Sequence, residues 1–270
     1  MLTIYAPFNN KNSKAWEVFN GVKKSWPEQV VVNDNSIATE PLSNSMYWGF
    51  VNNNLHLVKK LEARMHQFWF TDTPYFGRFD NSNLKADNHY WRICKNGIHV
   101  SYIKNCKSDR FEKFGIKIKA PNFAGKYILV CPSSDSIHGY LDEPNWTNDT
   151  IEKIKRYTDR PIKLRHKPRG RGTSGPSEAN VPLSEDLKDA WCVVTSCSIA
   201  AVEAMCEGIP VFCHDKSFAV DVGNLELADI ENPYYGGPEP WLYSLAYQQF
   251  TPEEFENGTA VEILMDKGLM

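Results

Sequence analysis

Residues 190–211, AWCVVTSCSIAAVEAMCEGIPV, constrain the fold more than any other stretch of the chain. Residues 191–194 form a short unbroken apolar run, the pattern of a strand buried on both faces. The run stops at Thr195-Ser196-Cys197-Ser198, and residues 199–206 then follow a helical pattern. Gly208 and Pro210 end that helix, and Val211-Phe212 begins the next strand. Small hydroxyl residues at the strand-to-helix junction leave amide N–H groups open at the positive end of a helix dipole, which suits a diphosphate. Glu203, about one turn into the helix, is placed to accept hydrogen bonds from ribose hydroxyls. An ordinary βαβ unit with a serine cap fits the same local residues, and these residues alone leave both readings open.

Strand-like and helix-like segments alternate along nearly the whole chain, which implies a mostly parallel sheet covered by helices. In the first half, strands are expected at 2–6, 30–32, 46–50 and 67–71, and helices at 13–24 and 54–65. The aromatic, polar block 75–100 has no helical period and reads as loops and short strands. A second series begins near Lys126, with strands at 127–130 and 162–165 and helices at 148–157 and 184–189. A Gly- and Ser-rich loop fills 170–180. Residues 252–265 read as one helix capped by Thr251.

Composition narrows the function. A length of 270 residues suits one large domain or two small ones, and 42% hydrophobic content supplies a sizeable core. A net charge of −3 gives no global field for nucleic acid, so such binding would need a local patch. The basic clusters at 104–119 and 153–171 are the candidates, although solvated helix faces explain the same charges. No run of eighteen apolar residues is present, so no membrane span is expected. The N-terminal residues read as a strand rather than a signal peptide. Seven cysteines without a Cys-x-x-Cys pair read as reduced structural thiols in a cytoplasm, with no metal site.

Residues 126–222 together resemble the nucleotide-sugar-binding half of a GT-B glycosyltransferase. The resemblance rests on the strand Tyr127–Val130 with its Ser133-Ser134 exit, the segment Lys163-Leu164-Arg165-His166-Lys167-Pro168, and the strand at 190–194. It rests also on the spacing Ser196-x-Ser198-x(4)-Glu203-Ala204-x(3)-Gly208-x-Pro210-Val211. It implies an α/β, GT-B-like fold: two Rossmann-like domains with a cleft between them at the carboxyl ends of the strands. Residues 1–122 would form the acceptor side and 123–270 the nucleotide-sugar side, with 117–125 as linker.

The donor implied is a nucleotide-diphosphate sugar, a UDP-sugar being favoured, with no tightly bound cofactor and no metal. Its diphosphate would rest where the helix begins, against Ser196, Cys197 and Ser198, with Ser133 beside it. His166 or Lys167 would supply positive charge, with Arg169 in the following loop, and Glu203 would hold the ribose. His214, after the next strand, would border the donor sugar. Many retaining members carry a glutamate eight residues before the ribose glutamate; here that position is Thr195, which leans the resemblance toward inversion.

The block Thr71-Asp72-Thr73-Pro74-Tyr75-Phe76-Gly77-Arg78, followed by Tyr90-Trp91-Arg92-Ile93 and Asn96-Gly97, is similar to small bacteriophage-encoded glycosyltransferase-like proteins. Some phage enzymes of this kind glucosylate hydroxymethylated bases in DNA. The acceptor favoured by that likeness is a 5-hydroxymethylated pyrimidine in double-stranded phage DNA, modified in the cytoplasm of the infected host. A surface-polysaccharide intermediate is the alternative acceptor, and a catalytically silent nucleotide-sugar or nucleic-acid binding module is the alternative to an enzyme.

Inverting transfer needs a base for the acceptor hydroxyl. Asp72 follows an apolar strand and is the candidate, though it also fits a cap for the turn at Thr73-Pro74. Tyr75, Arg78 and Arg92 combine rings and guanidinium groups, which suits bases and backbone phosphates; the same aromatics equally fit a core.

Overall fold

The computed structural model describes residues 1–9, 14–77, 89–166 and 181–270. In chain order its elements are β1 (Leu2–Ala6), α1 (Lys14–Ser25), β2 (Val30–Asp34), β3 (Ser45–Trp48), α2 (Asn54–Ala63), β4 (Phe68–Asp72), β5 (Trp91–Lys95) and α3 (Asp109–Glu112). There follow β6 (Tyr127–Val130), α4 (Asp135–Leu141), α5 (Trp146–Ile154), β7 (Ile162–Leu164), α6 (Leu183–Leu187), β8 (Ala190–Thr195), α7 (Ala200–Cys206) and β9 (Val211–Cys213). The chain closes with α8 (Glu239–Ala246), β10 (Gln249–Phe250), α9 (Pro252–Glu256) and α10 (Thr259–Asp266).

The chain forms two compact units, Met1–Phe114 joined by Tyr243–Met270, and Gly115–Leu242. The first carries a sheet of order β10-β5-β4-β3-β1-β2. Strands β1 to β4 run parallel, and β5 and β10 pair antiparallel at the edge. All five residues of β1 are buried, as a central parallel strand requires. Helix α1 covers the sheet with Ala15, Val18, Phe19 and Val22, one stripe at helical spacing. A network of asparagines ties the strand exits together. Buried Asn35 donates to Asn54 Oδ1 at 3.1 Å, and Asn54 donates to the carbonyls of Trp48 and Gly49 at 2.9 and 3.0 Å.

The division expected at residue 122 falls elsewhere. The tail from Tyr243 belongs with the first unit, because β10 adds to the edge of β5 through the pairs Gln249↔Arg92 and Phe250↔Trp91. A two-residue strand has no period for sequence reading to detect. The Thr251 cap is a capping box, Glu254 N–H donating to Thr251 Oγ1 while Thr251 N–H donates to Glu254 Oε2. The single helix expected beyond it is two helices, broken at Gly258 with φ of 92°.

The second unit carries four parallel strands in the order β7-β6-β8-β9. Helix α4 was not expected, since Gly139 lowers helix propensity in a segment this short. Residues 117–125 lie on this unit rather than running free. Lys119 N–H donates to the Cys206 carbonyl and Asn122 N–H to the Gly208 carbonyl, both at 2.8 Å. Gly208 permits the approach: its φ is +79°, and a Cβ there would sit 2.1 Å from the Ala120 oxygen. Among the described residues no helix is long and apolar enough to cross a membrane.

Candidate functional site

In the second unit the chain runs from β6 outward to β7, then crosses back to β8 on the other side of β6. The loops leaving β6 and β8 therefore diverge, and the crevice at such a switch point is where ligands of doubly wound sheets sit. Ser133 stands on the first loop, and Ser196, Cys197 and Ser198 on the second. Tertiary structure brings them together: Ser196 Oγ donates to Ser133 Oγ at 2.7 Å, and Cys197 N–H donates to the same oxygen at 3.0 Å. His138 Nε2 lies 3.2 Å from Ser196 Oγ.

The expectation of open amides needs correction. Besides Cys197 N–H, Ser198 N–H is accepted by Thr195 Oγ1 at 3.1 Å and Ala200 N–H by Ser198 Oγ at 3.3 Å. Short hydroxyl side chains satisfy nearby amides before any ligand does. Helix α7 starts only at Ala200. What this turn offers a ligand is hydroxyl chemistry more than bare N–H groups.

Glu203 is exposed on α7, and His166 is exposed just beyond β7. Arg165, between β7 and His166, is turned inward to Asp186 and to the Val181 carbonyl. Lys167, Arg169 and Arg78 lie outside the described residues.

A groove of about 860 Å³ opens at the carboxyl ends of β8 and β9, lined by Thr195, Cys213 and His214 on one side and by Trp146, Asp149 and Lys153 of α5 on the other. The His214 ring has a carboxylate at each nitrogen. Nδ1 is 2.7 Å from Asp215 Oδ1 and Nε2 is 3.4 Å from Glu143 Oε1. Lys216 N–H donates to Nδ1 at 3.0 Å, so this nitrogen is an acceptor and Asp215 is its neighbour rather than its hydrogen-bond acceptor. Glu143 Oε2 is buried with no hydrogen-bond partner among the described residues. Sequence reasoning missed Glu143, whose only signal is the helix stop at Asp142, a left-handed residue with φ of 60°. Burial pushes the Cys213 thiol up to about 12, so it stays protonated in the groove wall.

In the first unit, Asp72 ends β4 with 29% of its side chain exposed. Oδ1 accepts Thr73 N–H at 2.7 Å, the turn contact its sequence allowed, and Oδ2 is 3.3 Å from Arg92 Nη2. Arg92 and Tyr75 are not presented to an acceptor: they are 3% and 4% exposed. The guanidinium lies over the Tyr75 ring at 5.2 Å and donates to the Ile98 carbonyl. Phe76 and Trp91 are buried with them. Burial pushes the Tyr75 hydroxyl well above its usual range. The stacking surface expected here is core: Tyr75 and Phe76 follow β4, Trp91 lies on β5, and all three rings are buried.

Half of the described lysines and arginines in the two basic clusters are in ion pairs. Lys155 pairs with Glu152, Arg160 with Glu231, and Lys163 and Arg165 both with Asp186. Arg160 also lies 3.7 Å over the Trp191 ring. In the other cluster Arg110 pairs with Glu254, and Lys119 with Glu207. Among the described residues, no group of three or more His, Cys, Asp or Glu side chains is arranged to hold a metal ion.

No protein-family model and no curated protein matches the chain. Among solved structures it is similar to the KpsC β-Kdo 2,4-transferase of Thermosulfurimonas dismutans, with a TM-score of 0.50, 10% identity and 97% of both chains covered. It is also similar to the KpsC β-Kdo 2,7-transferase of the same organism, with a TM-score of 0.47, 11% identity and coverage of 97% and 99%. The two α/β units and the former likeness give the chain a GT-B-like fold of two Rossmann-like units.

Proposed function

We propose that the chain is a glycosyltransferase that moves a sugar from a nucleotide-activated donor to an acceptor hydroxyl. The observation that carries the reading is the meeting of Ser133 and Ser196 at the β6–β8 switch point, beside a groove bordered by His214. Hydroxyl donors there would hold the donor diphosphate, with His166 and Lys167 adding positive charge and Glu203 taking the ribose. A UDP-sugar is the first donor to test. His214 would face the sugar, its ring fixed by Asp215 and Glu143.

Transfer forms a bond from the acceptor oxygen to the anomeric carbon and breaks the bond from that carbon to the diphosphate. The acceptor proton passes to Asp72 as base, and the charge that develops on the diphosphate is met by Ser133, His166 and Lys167. Thr195, fully buried, stands where a second glutamate would be, which favours inversion.

A carbohydrate hydroxyl is the acceptor we favour, since a solved Kdo transferase shares the fold. The hydroxymethylated DNA reading is weakened, because Arg92 is buried and Arg110, Arg160, Lys163 and Arg165 are held by acids. The test is release of free nucleoside diphosphate from a panel of nucleotide sugars, with oligosaccharides, with hydroxymethylated DNA and with no acceptor. Release that depends on an oligosaccharide supports the proposal. Release that depends on DNA restores the phage acceptor, and no release in any combination removes the enzyme reading.

A further inference from the structure

The geometry points to His138 as a positioning residue that, through Ser196, turns the Ser133 hydroxyl outward as a donor to an anion. The identity of that anion as a phosphate ester rests on the nucleotide-sugar reading above. His138 sits on α4, 5% exposed, with its ring stacked on Trp146 at a centroid distance of 5.4 Å and 23° between planes. Packed this way, the plane of the ring is held against Trp146. Its Nε2 lies 3.2 Å from Ser196 Oγ, and Ser196 is fully buried.

With Ser196 Oγ as the donor to Ser133 Oγ, a count of hydrogens sets the direction of the rest of the chain. A hydroxyl has one hydrogen and two lone pairs. The Ser133 oxygen accepts from Ser196 Oγ and from Cys197 N–H, so both lone pairs are engaged and its own hydrogen remains for a ligand. Ser196 gives its hydrogen to Ser133 and so presents a lone pair to His138. The imidazole must then bring a hydrogen on Nε2. Burial lowers the His138 pKa from its usual 6.5, against the pull of Asp135 and Glu143, so the ring is neutral at pH 7 and carries a single N–H. His138, Ser196 and Ser133 thus donate in one direction, each bond polarising the next. Ser133, the half-buried end of the chain, offers a donor where an amide was expected.

The test is a double-mutant cycle on the full chain, with UDP and inorganic pyrophosphate as separate calorimetric probes, together with nitrogen NMR of His138. We expect Nε2 protonated and Nδ1 bare. Ser133→Ala weakens binding about tenfold. His138→Phe, which keeps the ring on Trp146, weakens it by a similar factor, and the double variant binds no worse than Ser133→Ala. His138→Gln, with an amide N–H to offer Ser196, recovers part of the loss. If His138→Phe does not fold, Ser196→Ala, which cuts the same chain one link on, takes its place in the cycle. A proton on Nδ1, or a double variant that loses the product of the two single effects, overturns the inference. Coupling seen with pyrophosphate alone supports the chain of donors and removes the nucleotide. UDP binding with additive losses keeps the nucleotide and removes the chain of donors. Binding of neither probe overturns both.

Discussion

Arg92 reaches from β5 to Asp72 at the end of β4, Nη2 to Oδ2 at 3.3 Å, and the antiparallel register sets the same two residues opposite each other. The pair holds a half-exposed carboxylate in one orientation with a guanidinium that is itself inside the first unit. If Asp72 is the base, Asp72→Asn lowers turnover by about 10²- to 10⁴-fold while donor affinity stays within twofold. Asparagine keeps Oδ1 for Thr73 N–H but turns an NH2 group toward Arg92, so circular dichroism and thermal unfolding first establish that the variant is folded. Steady-state rates and donor calorimetry on the same preparation check it, and turnover near the wild-type rate ends the assignment.

His214 has its two nitrogens between Asp215 and Glu143. Glu143→Gln keeps the shape and removes one of those charges. Donor affinity should fall by about three- to tenfold in His214→Asn and by less in Glu143→Gln, in the order of how directly each touches the ligand. Equal affinity across all three proteins would place the sugar elsewhere.

Glu254 makes a prediction about acid stability. Burial pushes its carboxyl up, but the hydrogen bonds and charge of Arg110 outweigh burial and hold it below the usual 4.5. A carboxylate with a depressed pKa adds stability that is complete above its unfolded value and lost as pH falls through the folded one. Urea midpoints should therefore drop below about pH 4.5 in the wild type. Glu254→Gln should be less stable at pH 7 by about 3 kcal/mol, with a flatter decline in acid.

Two glycines with positive φ separate two kinds of cost. Gly208→Ala forces a Cβ to 2.1 Å from the Ala120 oxygen at φ of +79°, whereas Gly258→Ala meets nothing within 4 Å at φ of +92°. The second change should cost about 1 kcal/mol from backbone strain alone, and the first clearly more, about 3 kcal/mol. Thermal unfolding of the two variants compares them directly, and equal losses would mean residues 117–125 yield freely.

Sequence determined the alternation that makes this an α/β chain, the buried strands such as β1 and β8, the Thr251 cap and the Ser-rich turn after β8. Those features are local: apolar period, turn residues and caps are written within a few positions of one another. Only tertiary structure decided that Ser133 and Ser196 meet, that hydroxyls take the amides of that turn, and that Tyr75 and Arg92 face inward. Only it could assign Tyr243–Met270 to the first unit, through a two-residue strand. Each of these depends on residues far apart in sequence and on which partner wins a hydrogen bond or a place in the core, and no local pattern records that competition.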